Sequence, residues 1–122
     1  MRSVLAIGLF GALGALARWS VQQVVPRPGL VPWGTLTVNV LGALVAGLLV
    51  GLFARRITAP MWVEEAIFVG FLGGFTTFSA FSLETALLLE RGAILTGAAY
   101  AFGSLAGGML GVLGGMRLGR LL

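Results

Sequence analysis

The chain has no cysteine, histidine, aspartate or lysine. Without cysteine there are no disulfides, thiolate metal sites or thiol nucleophiles. Without histidine and aspartate, neither a Ser-His-Asp triad, a histidine-ligated metal centre nor a paired-aspartate site can be built. Every acid is glutamate (Glu64, Glu65, Glu84, Glu90) and every base is arginine. Groups able to move protons at neutral pH are therefore almost absent, which argues against an enzyme. Charge itself is scarce, at 10% of 122 residues, where a soluble domain carries about 25%. Apolar residues make up 58% and the mean hydropathy is +1.04. Such a surface cannot face water, so residues 1–122 read as a single domain dissolved in a bilayer. The net charge of +4 does not imply a nucleic-acid partner, because the arginines are scattered and form no stripe for a phosphate backbone.

A helix needs about 20 mostly apolar residues to cross a membrane. The pattern predicts four spans, at about 3–25, 33–54, 61–90 and 93–116. Pro26-Arg27-Pro28-Gly29 separates the first two, since proline denies helix hydrogen bonds. Arg55-Arg56 and Thr58-Ala59-Pro60 end the second, and Glu90-Arg91-Gly92 forms the third turn. Arg2, an apolar run and Ala15-Leu16-Ala17 loosely fit a signal peptide. However, the apolar run resumes after Arg18, so the segment reads as a span. An even number of spans puts both termini on one side, with Arg2, Arg55, Arg56, Arg117 and Arg120. Arg27 and Arg91 lie on the other. The bias toward cytoplasmic termini is weak enough that both orientations are conceivable. The expected location is the cell inner (plasma) membrane, multi-pass, in contact with lipid.

Glycine is abundant, at 20 residues. Gly8-x-x-Gly11-x-x-Gly14, Gly47-x-x-x-Gly51 and Gly103-x-x-x-Gly107 place small residues on helix faces. Lipid gives no hydrophobic drive between helices, so close backbone approach must hold the spans together.

Polar groups inside the spans are costly and therefore informative. The densest cluster runs from Gly73 to Ser82 in span 3. Tandem glycine followed by tandem threonine is poor helix material, which predicts a break near the middle of the span. Carbonyls freed there can coordinate a cation, and the start of the following half-helix favours an anion. The competing reading is a kinked helix whose hydroxyls bond to their own backbone. Phe78 and Phe81 are three apart and share a helix face. Their positively polarised ring edges could line an anion path, or the rings could simply pack. Asn39, the sole asparagine, can donate to an anion or bond between helices, with Thr35 and Thr37 nearby in sequence. Arg18 is the one cation within a span, a vestibule charge or an interface anchor. Glu84 lies three residues past Phe81 and could be a proton carrier, a gate or a partner for Arg18.

The run GGFTTFSAFSLE (Gly73–Glu84) closely resembles the third-span signature of the Fluc/CrcB family of fluoride channels. GALGALARW (Gly11–Trp19) and WGTLTVNVLG (Trp33–Gly42) are similar to its first- and second-span segments. The resemblance covers essentially the whole chain. It implies an all-α membrane protein of four transmembrane helices, the third broken near its middle, forming an antiparallel dual-topology homodimer with a pair of fluoride pores. It also implies a structural Na⁺ at the dimer interface, held by backbone carbonyls of Gly73 and Thr76 from both subunits. The family's pore phenylalanines match Phe78 and Phe81, and its pore asparagine matches Asn39. A polar track would begin at Ser79, with Thr37, Tyr100 and Ser104 as further pore positions and Arg18 and Glu84 as auxiliary residues. Ala80 departs from many relatives, which carry a hydroxyl there.

Three functions compete. A fluoride-selective channel would export cytoplasmic fluoride passively and so protect against its toxicity. A small multidrug-type proton-coupled exporter is also short, four-spanned and dual-topology, but relies on a first-span carboxylate that this chain lacks. A non-transporting scaffold would tolerate changes at Phe78, Phe81 and Asn39.

Overall fold

The computed structural model describes residues 1–122. It is all helical, and four helical segments are long and apolar enough to cross a membrane: Arg2–Val24, Trp33–Phe53, Met61–Glu90 and Ile94–Leu121. The first, α1 (Arg2–Val24), ends where the Pro26–Pro28 turn begins. The second, α2 (Trp33–Phe53), starts after Pro32. Gly29 in the first turn and Gly92 in the third have φ of 68° and 77°, backbone that other residues adopt only with strain. The last helix runs past the sequence boundary at Met116 to Leu121. Arg117 and Arg120 mark where the chain leaves the apolar layer, and nothing requires the helix to end there.

The third span is assembled from pieces. Helix α3 (Met61–Glu65) leads into a π-helical stretch, Ala66–Leu72, and then a single turn, α4 (Gly73–Phe75). Thr76 and Thr77 are extended, at φ/ψ of −86°/159° and −150°/116°. Helix α5 (Phe78–Glu90) resumes beyond them, and α6 (Ile94–Leu121) completes the fold. The break expected in the Gly73–Thr77 region thus falls on the two threonines, whose β-branched side chains favour extended backbone. The glycines before them remain helical. The π-helical stretch left no mark in the sequence pattern.

The break changes what span 3 packs against. Its first half lies along α1, and its second half lies along α6. The other major pair is α2 with α6. The pairing with α1 and that of α2 with α6 depend on glycine. A Cβ at Gly14 would strike the Phe71 carbonyl, and one at Gly74 would strike the Gly11 carbonyl. Between α2 and α6, a Cβ at Gly47 would meet the Val112 carbonyl, and one at Gly115 the Leu44 carbonyl. More than half of the 17 buried residues are glycine. The interior is therefore largely backbone against backbone, as expected where lipid supplies no hydrophobic drive. Large apolar side chains such as Leu9, Trp19, Phe102 and Leu110 point outward.

Candidate functional site

The break sits among polar groups from α1 and α2. In an unbroken helix the Thr77 amide would bond to the Gly73 carbonyl. Here it donates to Asn39 Oδ1 at 2.8 Å, and Asn39 Nδ2 donates back to the Thr77 carbonyl at 3.0 Å. Thr77 also caps α5, its hydroxyl accepting from the Ala80 amide at 3.2 Å. This is the usual means of satisfying one of the free N–H groups at a helix start. The Ala80 amide is thereby withdrawn from the Thr76 carbonyl, which instead accepts from Arg18 Nη1 at 3.3 Å. The Thr76 hydroxyl donates to the Leu72 carbonyl at 2.8 Å.

Two of the expected carbonyls are thus released from the helix ladder by identifiable causes. Gly73 loses its donor to Asn39, and Thr76 loses its donor to the Thr77 cap. Neutral carbonyl oxygens are suitable ligands for a hard monovalent cation. The Thr76 oxygen has a second lone pair beyond the one directed at Arg18. The donor set fits Na⁺ in its chemistry.

On the other side of the break, Phe78 and Phe81 have ring centroids 5.7 Å apart. Phe81 in turn lies 5.5 Å from the Tyr100 ring. Phe78 is 77% exposed on the protomer. It borders an open cleft of about 350 Å³ with Asn39, Gly42, Thr76 and Thr77. Ser79 is exposed, its Oγ 3.4 Å from Thr77 Oγ1. Arg18, Thr77 and Ser79 share a second open cleft.

Glu84 closes a chain of hydrogen bonds across four helices. The Tyr100 hydroxyl donates to Glu84 Oε2 at 2.6 Å, and Thr35 Oγ1 donates to Glu84 Oε1 at 2.7 Å. Gln22 Nε2 donates to Thr35 Oγ1 at 3.3 Å. Tyr100 and Thr35 are almost fully buried. Glu84 and Arg18 therefore do not pair, contrary to one expectation. Each has found partners on other elements.

Most of the residues expected from the sequence converge: Asn39, Thr76, Phe78, Ser79, Phe81, Glu84 and Tyr100 form one connected group. Ser104 lies one turn beyond Tyr100, and its Oγ is buried without a protein partner. Thr37 stands apart, because Thr35 and Asn39 are four residues apart and share a face that Thr37, between them, does not. Gln22 and Thr35 also belong to this group, although neither was expected as a pore position. The i, i+4 spacing of Thr35 from Asn39 was the available signal. Gln22 had none, since its partner lies across a turn.

This arrangement offers hydrogen-bond donors, ring edges and freed carbonyls beside open clefts. It suits the handling of a small ion rather than bond chemistry. The family model described as CrcB-like protein, Camphor Resistance (CrcB), matches residues 5–116. The fluoride-specific ion channel FluC of Bordetella bronchiseptica is 49% identical over 105 residues, covering 86% of this chain and 81% of its own. The fluoride-specific ion channel FluC of Rhizobium leguminosarum bv. trifolii is 42% identical over 125 residues, covering 100% and 99%.

Proposed function

This chain belongs to the CrcB-like family, and on that premise we propose that it is a fluoride-selective ion channel of the inner (plasma) membrane that exports cytoplasmic fluoride passively. Fluoride is small and strongly hydrated, so a pore must replace the water it strips. Asn39 retains one Nδ2–H beyond the hydrogen bond to Thr77. Ser79 supplies a hydroxyl, and Phe78 and Phe81 present ring edges whose positive polarity attracts an anion without binding it strongly. Weak, serial contacts are what conduction needs, because an ion must leave as readily as it enters. Passive export down the gradient limits the toxic accumulation of fluoride that entered as HF.

The observation that carries this reading is the Asn39–Thr77–Phe78–Phe81 group at the break. On the protomer that group is open on one side. A second, antiparallel copy would cover Phe78 and enclose a path on each side of the dimer. The Gly73 and Thr76 carbonyls of both copies would then hold a Na⁺ at the centre, where the cation supplies structural cross-linking and a positive field for the anion. A multidrug-type exchanger receives no support, since α1 carries no carboxylate. The test is efflux from liposomes read with a fluoride electrode. Fluoride should leave far faster than chloride. Equal chloride flux, or no fluoride flux, would overturn the assignment.

A further inference from the structure

Helix α1 ends against prolines, and this leaves a vacancy that another side chain fills. The Gln22 carbonyl would ordinarily accept from the amide four residues on. That residue is Pro26, which has no N–H. Arg27 Nη2 donates to the Gln22 carbonyl instead, at 2.8 Å. A cation at a helix C-terminus is also favoured by the helix dipole. The guanidinium is therefore tethered, although Arg27 is exposed in the turn between α1 and α2.

The place where it is tethered is specific. Arg27 lines a cleft of about 270 Å³ together with Gln22, Gln23, Trp33, Thr35 and Glu84. From this cleft the hydrogen bonds run inward from Gln22 to Thr35 to Glu84 to Tyr100. Tyr100 packs on Phe81, and Phe81 on Phe78. The cleft is thus the outer end of a continuous seam that reaches the phenylalanine pair. Arg27 and Glu84 are its only charged lining residues. A carboxylate alone would make this mouth repel anions. The arginine brings its formal charge to zero and puts the positive group on the solvent side.

We propose that Arg27 is an anion-capture residue at the mouth of the path, drawing fluoride toward the second Nε2–H of Gln22, which the bond to Thr35 leaves uncommitted, and offsetting the field of Glu84. This rests on the channel reading. It assigns a role to a turn residue outside the helix break.

The absence of cysteine makes a direct test available. Arg27→Cys introduces a unique thiol, which is then labelled in liposomes with a positively or a negatively charged methanethiosulfonate. Efflux is followed at fluoride low enough for entry to limit the rate. The cationic label should raise flux and the anionic label should lower it, with Arg27→Gln about threefold below wild type at low salt. The gap should close at about 0.5 M salt, where the Debye length falls to a few ångströms. Arg27→Lys should retain most of the rate. If both labels act alike, or the Arg27→Gln deficit ignores salt, the residue merely caps α1 and the inference fails. If the variants match wild type at every salt concentration, it fails as well. A wild type that passes no fluoride would overturn the channel reading, and this inference with it.

Discussion

The side chain of Asn39 makes two hydrogen bonds to one residue, Thr77, accepting from its amide at 2.8 Å and donating to its carbonyl at 3.0 Å. It acts as a splint across the break, satisfying backbone groups that a continuous helix would have used. An extended pair of residues inside a membrane is tolerated only where such partners exist.

Asn39→Ala should therefore do more than remove an ion contact. It leaves a donor and an acceptor of Thr77 unpaired, each costing about 1–3 kcal/mol if it finds no other partner. The expected result is a lower thermal midpoint in detergent, faster amide exchange around residues 76–79, and reduced fluoride efflux. Unchanged exchange with lost efflux would mean that Asn39 serves the ion alone.

Phe81 contacts both Phe78 and Tyr100. Replacing it with Ile keeps an apolar side chain but removes the ring edge. Phe81→Ile should lower fluoride efflux to background while leaving the oligomer unchanged by gel filtration. Persisting flux would make Phe81 a packing residue.

Thr35 and Thr37 differ by two positions and are expected to differ in effect. Thr35→Val removes the 2.7 Å bond to Glu84 and the acceptor for Gln22. Loss of a bond to a charged group, about 1.5–3 kcal/mol, should slow efflux about tenfold or more. Thr37→Val should stay within about twofold of wild type, because it lies off the face shared by Thr35 and Asn39. Equal effects would show that the hydrogen-bonded chain does not bear on conduction.

Adjacent glycines in α6 give a packing test. A Cβ at Gly115 meets the Leu44 carbonyl, whereas one at Gly114 meets nothing within 4 Å. Gly115→Ala should destabilise by about 1–3 kcal/mol, as overpacking does, and Gly114→Ala by no more than about 0.5 kcal/mol. Thermal unfolding in detergent distinguishes them.

The proposed Na⁺ is tested by exchange. Purification with N-methylglucamine in place of Na⁺ should weaken the dimer and lower efflux, and added Na⁺ should restore both. Insensitivity of both would remove Gly73 and Thr76 as ligands.

Much of the architecture was legible along the chain. The spans follow from apolar runs interrupted by Arg55-Arg56 and Glu90-Arg91, and the break follows from glycine and threonine placed together. The phenylalanine pair followed from three-residue spacing. The π-helical stretch Ala66–Leu72 was not legible, because its composition is that of any apolar helix and its shape is set against α1. Gln22 was not legible for the same kind of reason, because its partner Thr35 lies on another helix.

The sequence by itself determined the solvent, the number of spans, the place of the break and the residue types available to an ion. Those properties depend on hydropathy and backbone preference, which are local. The tertiary structure alone decided the partners: Arg18 with Thr76, Thr35 with Glu84, and Asn39 with Thr77, separated by 58, 49 and 38 residues. These pairs form because glycine faces let helices approach until backbone meets backbone. That approach fixes which polar groups meet, something no spacing along the chain encodes.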